Sequence, residues 1–377
     1  MKAESFSPRR MLQSITLGTA VSVAVALLAA TATVAPADAF AATAKSSQVA
    51  KKKATASPAK KSVKSASATS DAQRAKSVRK RATLAANVHG HHGAVRKVAF
   101  QPRQPTVGQA FGLHDTPDAL ALRSSVAYVV DQNTNEPLFD KNSHAVVPIA
   151  SITKLMTAMV VLDSKLPLTD QIDVTDEDRD YEKGTGSRLS VGSTLSRDDM
   201  LHIALMASEN RAAAALSRYF PGGRPAFIAA MNAKARSLGM GDTHFENSTG
   251  LSSQNVSSAR DLVKMVNAAY QYPLIRKFST DRTYEVNTGK RNLVYNSTNA
   301  LIRGNNSWDI GLQKTGFINE AGECLVMQAT IHNRPMVMVL LDSFGKYSRF
   351  ADASRLRNWL DNGGERLTAS NSPNGGT

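Results

Sequence analysis

An abrupt change in composition divides this chain and limits what it can fold into. Residues 40–105 are mainly Ala, Ser, Thr, Lys and Arg, with few large apolar side chains. Such a segment cannot bury enough apolar surface to offset the entropy lost on ordering. We therefore expect residues 40–110 to be a disordered linker. Roughly 270 of the 377 residues remain to build a hydrophobic core.

The segment before the linker has the anatomy of a secretory signal peptide. Lys2, Arg9 and Arg10 precede an apolar run at residues 11–34, and Ala37-Asp38-Ala39 offers a small-x-small cleavage site. A retained membrane anchor is the alternative that the length of the run permits. We expect residues 1–39 to be a signal peptide and the remaining chain to leave the cytoplasm.

The linker also carries most of the charge. The formal net charge is +15, and residues 45–103 contain fifteen basic side chains against one acid, Asp71. Electrostatic contact with anionic envelope components and a solvated spacer both fit this pattern. Nucleic-acid recognition does not fit, because residues 45–97 contain no Trp, Tyr or Phe on which bases could stack.

The residues after the linker alternate between strand and helix patterns. Strands are predicted at 125–131, 137–139, 310–315, 324–332 and 335–342. Helices are predicted from Ser151 to Asp163, from a Ser196 cap to Ala207, at 224–238, from a Ser258 cap to Tyr270, and at 355–360. We therefore predict an α+β fold for residues 111–362, an antiparallel sheet flanked by helices with a helical subdomain. Residues 363–377 are predicted to be a disordered tail.

Three short motifs stand in order along this domain: Ser151-Ile152-Thr153-Lys154, Ser208-Glu209-Asn210 and Lys314-Thr315-Gly316. Each is common by itself, and Ser-x-x-Lys recurs at Ser57, Ser77 and Ser343. Ser57 and Ser77 lie in the linker, and Ser343 follows a strand. Ser151 alone among the four begins an amphipathic helix, so it is the candidate nucleophile.

The first motif can activate a hydroxyl. Residues i and i+3 share a helix face, so Lys154 is expected beside Ser151. An amine can act as the base only if burial or a neighbouring cation lowers its pKa, and Lys314 would supply such a cation. The backbone N–H at Ser151, at the positive end of the helix, would face a developing oxyanion.

The other two motifs would complete the site. In an extended segment Ser208 and Asn210 would face one cleft, where Ser208 could pass a proton to a leaving amine and Asn210 could orient the lysine and bind substrate. Glu209 would point elsewhere, as a surface or supporting group. Lys314 and Thr315 would bind a carboxylate and Gly316 would admit the substrate backbone. Phe317 would offer a second oxyanion N–H.

Together the three motifs resemble those of the penicillin-recognising serine enzymes. Within them the sequence looks like the low-molecular-weight D-alanyl-D-alanine peptidases of the S11 class. The segments Pro148-Ile-Ala-Ser-Ile-Thr-Lys, Leu205-Met-Ala-Ser-Glu-Asn and Lys314-Thr-Gly-Phe, with Thr249-Gly-Leu, are similar to the endopeptidase branch of the penicillin-binding protein 7 type. The resemblance implies a DD-peptidase/β-lactamase-like fold, peptidoglycan stem peptides as substrates, β-lactams as covalent inhibitors and a periplasmic location, with peripheral membrane association left open.

The same resemblance implies that Ser151 attacks a D-Ala carbonyl in a D-alanyl to meso-diaminopimelate cross-link and forms an acyl-enzyme that water releases. A D-alanyl-D-alanine carboxypeptidase would use identical groups, and a non-catalytic cell-wall-binding protein is a further alternative. Rapid β-lactam hydrolysis is not expected, because no Glu-x-x-Leu-Asn segment lies between Asn210 and Lys314. The mechanism needs no cofactor or metal, and Cys324 is interpreted as a core residue.

Overall fold

The computed structural model of the chain describes residues 104–304, 308–364 and 367–368. The predicted signal peptide, residues 40–103 of the predicted linker and most of the predicted C-terminal tail lie outside them. In chain order the strands are β1 (Ser124–Asp131), β2 (Pro137–Lys141), β3 (Val147–Pro148), β4 (Gln171–Asp173), β5 (Thr194–Ser196), β6 (Val256–Ser257), β7 (Thr283–Asn287), β8 (Asn292–Asn296), β9 (Asp309–Ile318), β10 (Gly322–Ile331), β11 (Arg334–Ser343) and β12 (Leu367–Thr368).

Helices occupy most of the chain between the two sets of long strands. The α-helices are α1 (Val107–Ala110), α2 (Lys154–Asp163), α3 (Arg197–Met206), α4 (Asn210–Arg218), α5 (Gly223–Ser237), α6 (Ala259–Tyr270), α7 (Pro273–Thr280), α8 (Ala300–Arg303) and α9 (Ser348–Asp361). Three 3-10 turns stand at Leu113–Asp115, Ala150–Thr153 and Asp176–Asp178. No helix within these described residues is both long enough and apolar enough to cross a membrane.

The main sheet collects strands from both ends of the domain, as predicted, in the order β12-β2-β1-β11-β10-β9. Neighbours pair antiparallel except β12, which runs parallel to β2. Successive side chains of a strand point to opposite faces, and β1 shows this directly. Val126 and Tyr128 join the helix-rich core on one face, while Ala127 and Val129 pack on the other with Leu356 of α9.

The helix ends predicted from capping residues match the structure. Ser196 accepts a hydrogen bond from the Asp199 backbone N–H at the start of α3, and Ser258 does the same from Asp261 at the start of α6. The sequence patterns did not predict helices α1, α4, α7 and α8, the short strands β3 to β6, or the β7–β8 hairpin. The fold is therefore of the predicted α+β class, with a larger helical region than the sequence patterns indicated.

Both predicted domain boundaries need correction. Residues 104–110, assigned to the linker, contain α1, whose cap Thr106 is buried and donates from its hydroxyl to Asp342 Oδ2 at 2.9 Å. At the other end, Leu367–Thr368 pairs with β2 inside the segment predicted to be disordered. The linker prediction failed at its edge because α1 is held by contacts to residues distant in the sequence, from the Thr106 hydroxyl to Asp342 and from the Val107 N–H to the Glu320 carbonyl.

Candidate active site

Ser151 lies in a tight turn rather than at the first residue of an α-helix. The turn spans Ala150–Thr153 and leads directly into α2 at Lys154. Ala150 has φ of +49°, a left-handed conformation that is strained for a residue with a side chain. Ser151 is buried, with 9% of its surface exposed. The turn, instead of a regular helix start, therefore fixes the direction of the candidate nucleophile.

Two glycines let other segments approach this turn closely. A Cβ added at Gly250 would lie 2.0 Å from the Ala150 carbonyl oxygen, and one added at Gly316 would lie 2.9 Å from that of Ile149. Gly250 also has φ of +82°. From its place in the third motif, Gly316 is predicted to admit the substrate backbone. In the structure its missing side chain makes room for the Ser151 turn.

Lys154 lies beside Ser151 as the spacing predicted. Its Nζ is 3.0 Å from Ser151 Oγ, 2.8 Å from Asn210 Oδ1 and 2.6 Å from the Thr249 carbonyl oxygen. Only 1% of Lys154 is exposed, and this burial lowers its pKa to about 7, against an opposing influence from the charge of Glu209. A substantial fraction of the amine is thus neutral near neutral pH.

These three contacts suit a neutral amine acting as a base. A neutral amine has two hydrogens and one lone pair, and the amide oxygen of Asn210 and the carbonyl of Thr249 can only accept. When both hydrogens point to these acceptors, the lone pair is left for the Ser151 hydroxyl. The arrangement can therefore draw the proton from Ser151 without any rearrangement of the lysine.

Ser208 forms a second pair, with Lys314. Lys314 Nζ donates to Ser208 Oγ at 2.9 Å and to the Thr315 carbonyl at 2.8 Å. Burial, followed by the charges of Lys154 and Arg349, lowers the pKa of Lys314 well below its ordinary value. The expected proximity of the two lysines is therefore present, and repulsion between their charges disfavours the state with both protonated.

The local geometry of the second motif differs from the prediction. Ser208 has φ of +60°, Glu209 is the N-cap of α4 and Asn210 is its first residue, so the segment is not extended. The two outer side chains nevertheless reach the same site, Ser208 at Lys314 and Asn210 at Lys154. A left-handed residue followed by the start of a helix therefore directs Ser208 and Asn210 into one site, as the predicted extended segment would have done.

Glu209 is a buried supporting group and not a surface residue. Its Oε1 accepts from the Ser187 hydroxyl at 2.6 Å and its Oε2 from the Tyr295 hydroxyl at 3.4 Å. Asn210 is supported in turn by Thr185, whose Oγ1 accepts from Asn210 Nδ2 at 3.2 Å and donates to Asp180 at 2.7 Å. Thr185 and Asp180 were not identified from the sequence.

The third motif lies within β9, the strand at the edge of the main sheet. This strand does not end at the motif but continues to Ile318. The Thr315 hydroxyl is 2.6 Å from that of Thr298, and Lys314 is fully buried. A Cβ added at Gly316 would lie 3.2 Å from the Ser151 backbone nitrogen, which brings the strand preceding Phe317 next to the Ser151 turn. The two predicted oxyanion residues therefore belong to adjacent segments.

Arg349 and Thr249 are further parts of the site that sequence reasoning missed. Arg349, from α9, is mostly buried, forms an ion pair with Glu323, and has a pKa lowered to about 10 by burial. Thr249 contributes only its backbone carbonyl, and the single sequence signal was its place in a family-like Thr-Gly-Leu segment.

Among the described residues, no cluster of three or more His, Cys, Asp or Glu side chains could hold a metal ion. Cys324 is buried, as interpreted, and burial raises its pKa to about 12.

A serine whose proton can pass to a buried lysine, in a turn beside the edge strand of an antiparallel sheet and at the start of a helix, defines a serine hydrolase of the lysine-dependent type. Comparison with known families agrees with this class. A family model described as Peptidase_S11, D-alanyl-D-alanine carboxypeptidase, matches residues 114–345, and the chain belongs to that family.

Curated relatives and solved structures show which members of this family the chain resembles. The chain is 53% identical over 244 residues to a D-alanyl-D-alanine endopeptidase of Pseudomonas aeruginosa, covering 64% of this chain and 78% of the relative. It is 52% identical over 246 residues to the enzyme of that name from Escherichia coli, with the same coverage. The Streptomyces K15 DD-transpeptidase structure aligns with a TM-score of 0.59 at 28% identity, covering 63% of this chain and 97% of that one.

Proposed function

We propose that this chain is a D,D-endopeptidase that hydrolyses D-alanyl to meso-diaminopimelate cross-links of peptidoglycan through an acyl-enzyme on Ser151. Two curated D-alanyl-D-alanine endopeptidases are identical to this chain at about half of the aligned residues, and this similarity supports the reaction. The observation that carries the chemistry is the Lys154 amine, held by two obligate acceptors 3.0 Å from the Ser151 hydroxyl.

Acylation uses the two serine-lysine pairs in turn. Ser151 Oγ attacks the D-Ala carbonyl carbon while its proton passes to Lys154, and the backbone N–H groups of Ser151 and Phe317 stabilise the oxyanion. When the tetrahedral intermediate collapses, the C–N bond breaks. The Ser208 hydroxyl, oriented by Lys314, passes its proton to the leaving amine and takes one in turn from the protonated Lys154, which returns to its neutral form. Lys314 and Thr315 bind the carboxylate next to that amine.

Deacylation repeats the same proton transfers with water as the nucleophile. A β-lactam would acylate Ser151 in the same way, and its opened ring would remain attached and hinder water. A solved structure similar to this chain, penicillin-binding protein D2 from Listeria monocytogenes in the ampicillin-bound form, supports β-lactam recognition, with a TM-score of 0.56 at 28% identity, covering 64% of this chain and 98% of that one. We expect a long-lived penicilloyl adduct on Ser151.

Release of a terminal D-Ala is the second candidate reaction, because the matching family model is described as D-alanyl-D-alanine carboxypeptidase. The two reactions differ only in the leaving amine, so the groups around Ser151 serve both. The family's serine hydrolase chemistry leaves the non-catalytic wall-binding alternative without support. We also propose, from the signal-peptide pattern, that the enzyme acts in the periplasm, where its substrate is found.

The test is product analysis with two substrates. The chain from residue 40, its Ser151→Ala variant and a Ser77→Ala control are incubated with cross-linked muropeptide dimers and with monomeric pentapeptides. Ser77 begins another Ser-x-x-Lys segment, so the control removes a like serine outside the proposed site. Dimers split by the parent and the control but not by Ser151→Ala would support the endopeptidase. Loss of terminal D-Ala alone would assign it as a carboxypeptidase.

A further inference from the structure

A cleft opens directly beside Ser208, the serine proposed to protonate the leaving amine. It has a volume of about 320 Å³ and lies between the loop at residues 186–188, the start of α4 and the end of the β7–β8 hairpin. The side chains that matter in its wall are Ser187, Arg188, Ser208, Asn210, Tyr295 and Asn296. The cleft is thus continuous with the second catalytic motif.

Arg188 is an exposed cation that is nevertheless held in place. Its Nη1 donates to the Val294 carbonyl at 2.5 Å, and its guanidinium carbon lies 5.1 Å from the centroid of the Tyr295 ring. Tyr295 is itself buried and its hydroxyl is bonded to Glu209. A guanidinium supported by an aromatic face and one carbonyl keeps its other N–H groups for a ligand, and within residues 104–304 and 308–364 they have no partner.

The charge presented by this cleft is positive. Its one acid, Glu209, is buried with both oxygens engaged by Ser187 and Tyr295. The exposed Arg291 donates to the Arg188 carbonyl oxygen at 3.2 Å and adds a second cation to the rim. A neighbouring cleft, also reaching Asn210, is lined instead by Asp178, Asp180 and Glu182. An anionic group entering beside Ser208 would therefore be drawn toward Arg188.

We infer that Arg188 is a specificity-determining residue that binds a carboxylate on the leaving stem peptide. The inference rests on the proposed function, in which Ser208 contacts the leaving amine, so that the chain attached to this amine continues into the cleft that Ser208 lines. A terminal D-Ala carries only a methyl group and the carboxylate beside its amine. A leaving diaminopimelate continues into a second amino-acid centre and a peptide with further carboxylates, which suit bidentate binding by arginine.

The experiment compares two substrates in matched variants. Arg188→Ala and Arg188→Lys are assayed on cross-linked muropeptide dimers and on monomeric pentapeptides, with acylation by a fluorescent penicillin as the measure of an intact Ser151 site. Arg179→Ala is the control, because Arg179 is a half-exposed arginine in the acidic cleft and is paired with Asp176. We expect Arg188→Ala to lower kcat/KM on dimers about tenfold, mainly through KM.

Arg188→Lys is expected to recover part of this loss, because it restores the charge without the planar fork. In Arg188→Ala, the rates of terminal D-Ala release and of penicillin acylation should remain at the parent level. The Arg179→Ala control should match the parent in all three assays. An equal loss on both substrates, or no loss on dimers, overturns the inference. A failure of the proposed function is seen separately, because the parent enzyme would then leave dimers intact.

Discussion

At the scale of single residues, the site depends on a lysine placed where its charged form is disfavoured. Only 1% of Lys154 is exposed, and its amine has two acceptors that can hold its hydrogens. A lysine in water would be protonated almost completely at neutral pH and could not accept a proton. Burial therefore converts an ordinary cation into a base, and it does so at the position adjacent to the nucleophile.

This gives a prediction for the pH dependence of acylation. Burial lowers the pKa of Lys154 to about 7, and only the neutral amine accepts the Ser151 proton. Below this pKa the reactive fraction falls about tenfold per pH unit, and above it the rate should reach a plateau. We expect the second-order rate of fluorescent-penicillin acylation to rise with pH, with a midpoint near 7.

The same titration with Asn210→Ala provides a comparison, because this variant removes an acceptor that also stabilises the protonated amine. Its midpoint should move to lower pH while the plateau also falls. A rate that stays constant from pH 5 to pH 9 in the parent enzyme would contradict the assignment of Lys154 as the base.

The sequence could predict one kind of site residue and not another. Ser151 and Lys154 were found because side chains three apart share a face, and this spacing holds in the observed turn and helix. The Thr249 carbonyl and the close approach at Gly250 were not found. Backbone carbonyls occur at every residue, so nothing in the sequence distinguishes the one that Lys154 contacts.

At the scale of elements, predictability followed the strength of the local pattern. Helices α3 and α6 begin at serine caps, and their starts were predicted to the residue. Helix α4 was missed because its apolar face consists largely of alanines and its cap is Glu209, inside a motif interpreted as extended. Helix α7 begins with Pro273, a residue that marks loops as readily as helix starts.

The short helix α1 supports a prediction about stability. Thr106 Oγ1 accepts from the Gln109 backbone N–H and donates to Asp342, a buried carboxylate that also accepts from the Ser125 hydroxyl. Thr106→Val keeps the shape but removes the cap and one donor to Asp342. We expect the free energy of unfolding to fall by about 1–3 kcal/mol, measured by urea denaturation.

Thr194→Val is the matched control, because Thr194 is exposed in β5 and the change suits a strand. Its effect should stay within about 0.5 kcal/mol. If Thr106→Val also left the free energy of unfolding unchanged, α1 would contribute nothing measurable to stability. The domain boundary predicted at residue 111 would then describe the stable unit better than a boundary at residue 104.

At the scale of the whole molecule, charge and catalysis belong to different parts of the chain. Nearly all of the formal net charge of +15 lies in residues 45–103, while the proposed catalytic groups lie between Ser151 and Arg349. The two parts can therefore be varied independently. A basic segment attached to a nearly neutral enzyme would concentrate it near anionic envelope surfaces, an effect that salt screens.

We expect the chain from residue 40 to bind vesicles that contain anionic phospholipid at low salt, and to be released as ionic strength rises above about 0.15 M. The chain from residue 104 should not bind, and both should split soluble muropeptide dimers at equal rates. Vesicles of neutral phospholipid serve as the control surface. Binding of both chains, or of neither, at low salt would leave residues 45–103 as a spacer, because the positive charge would then contribute nothing to attachment.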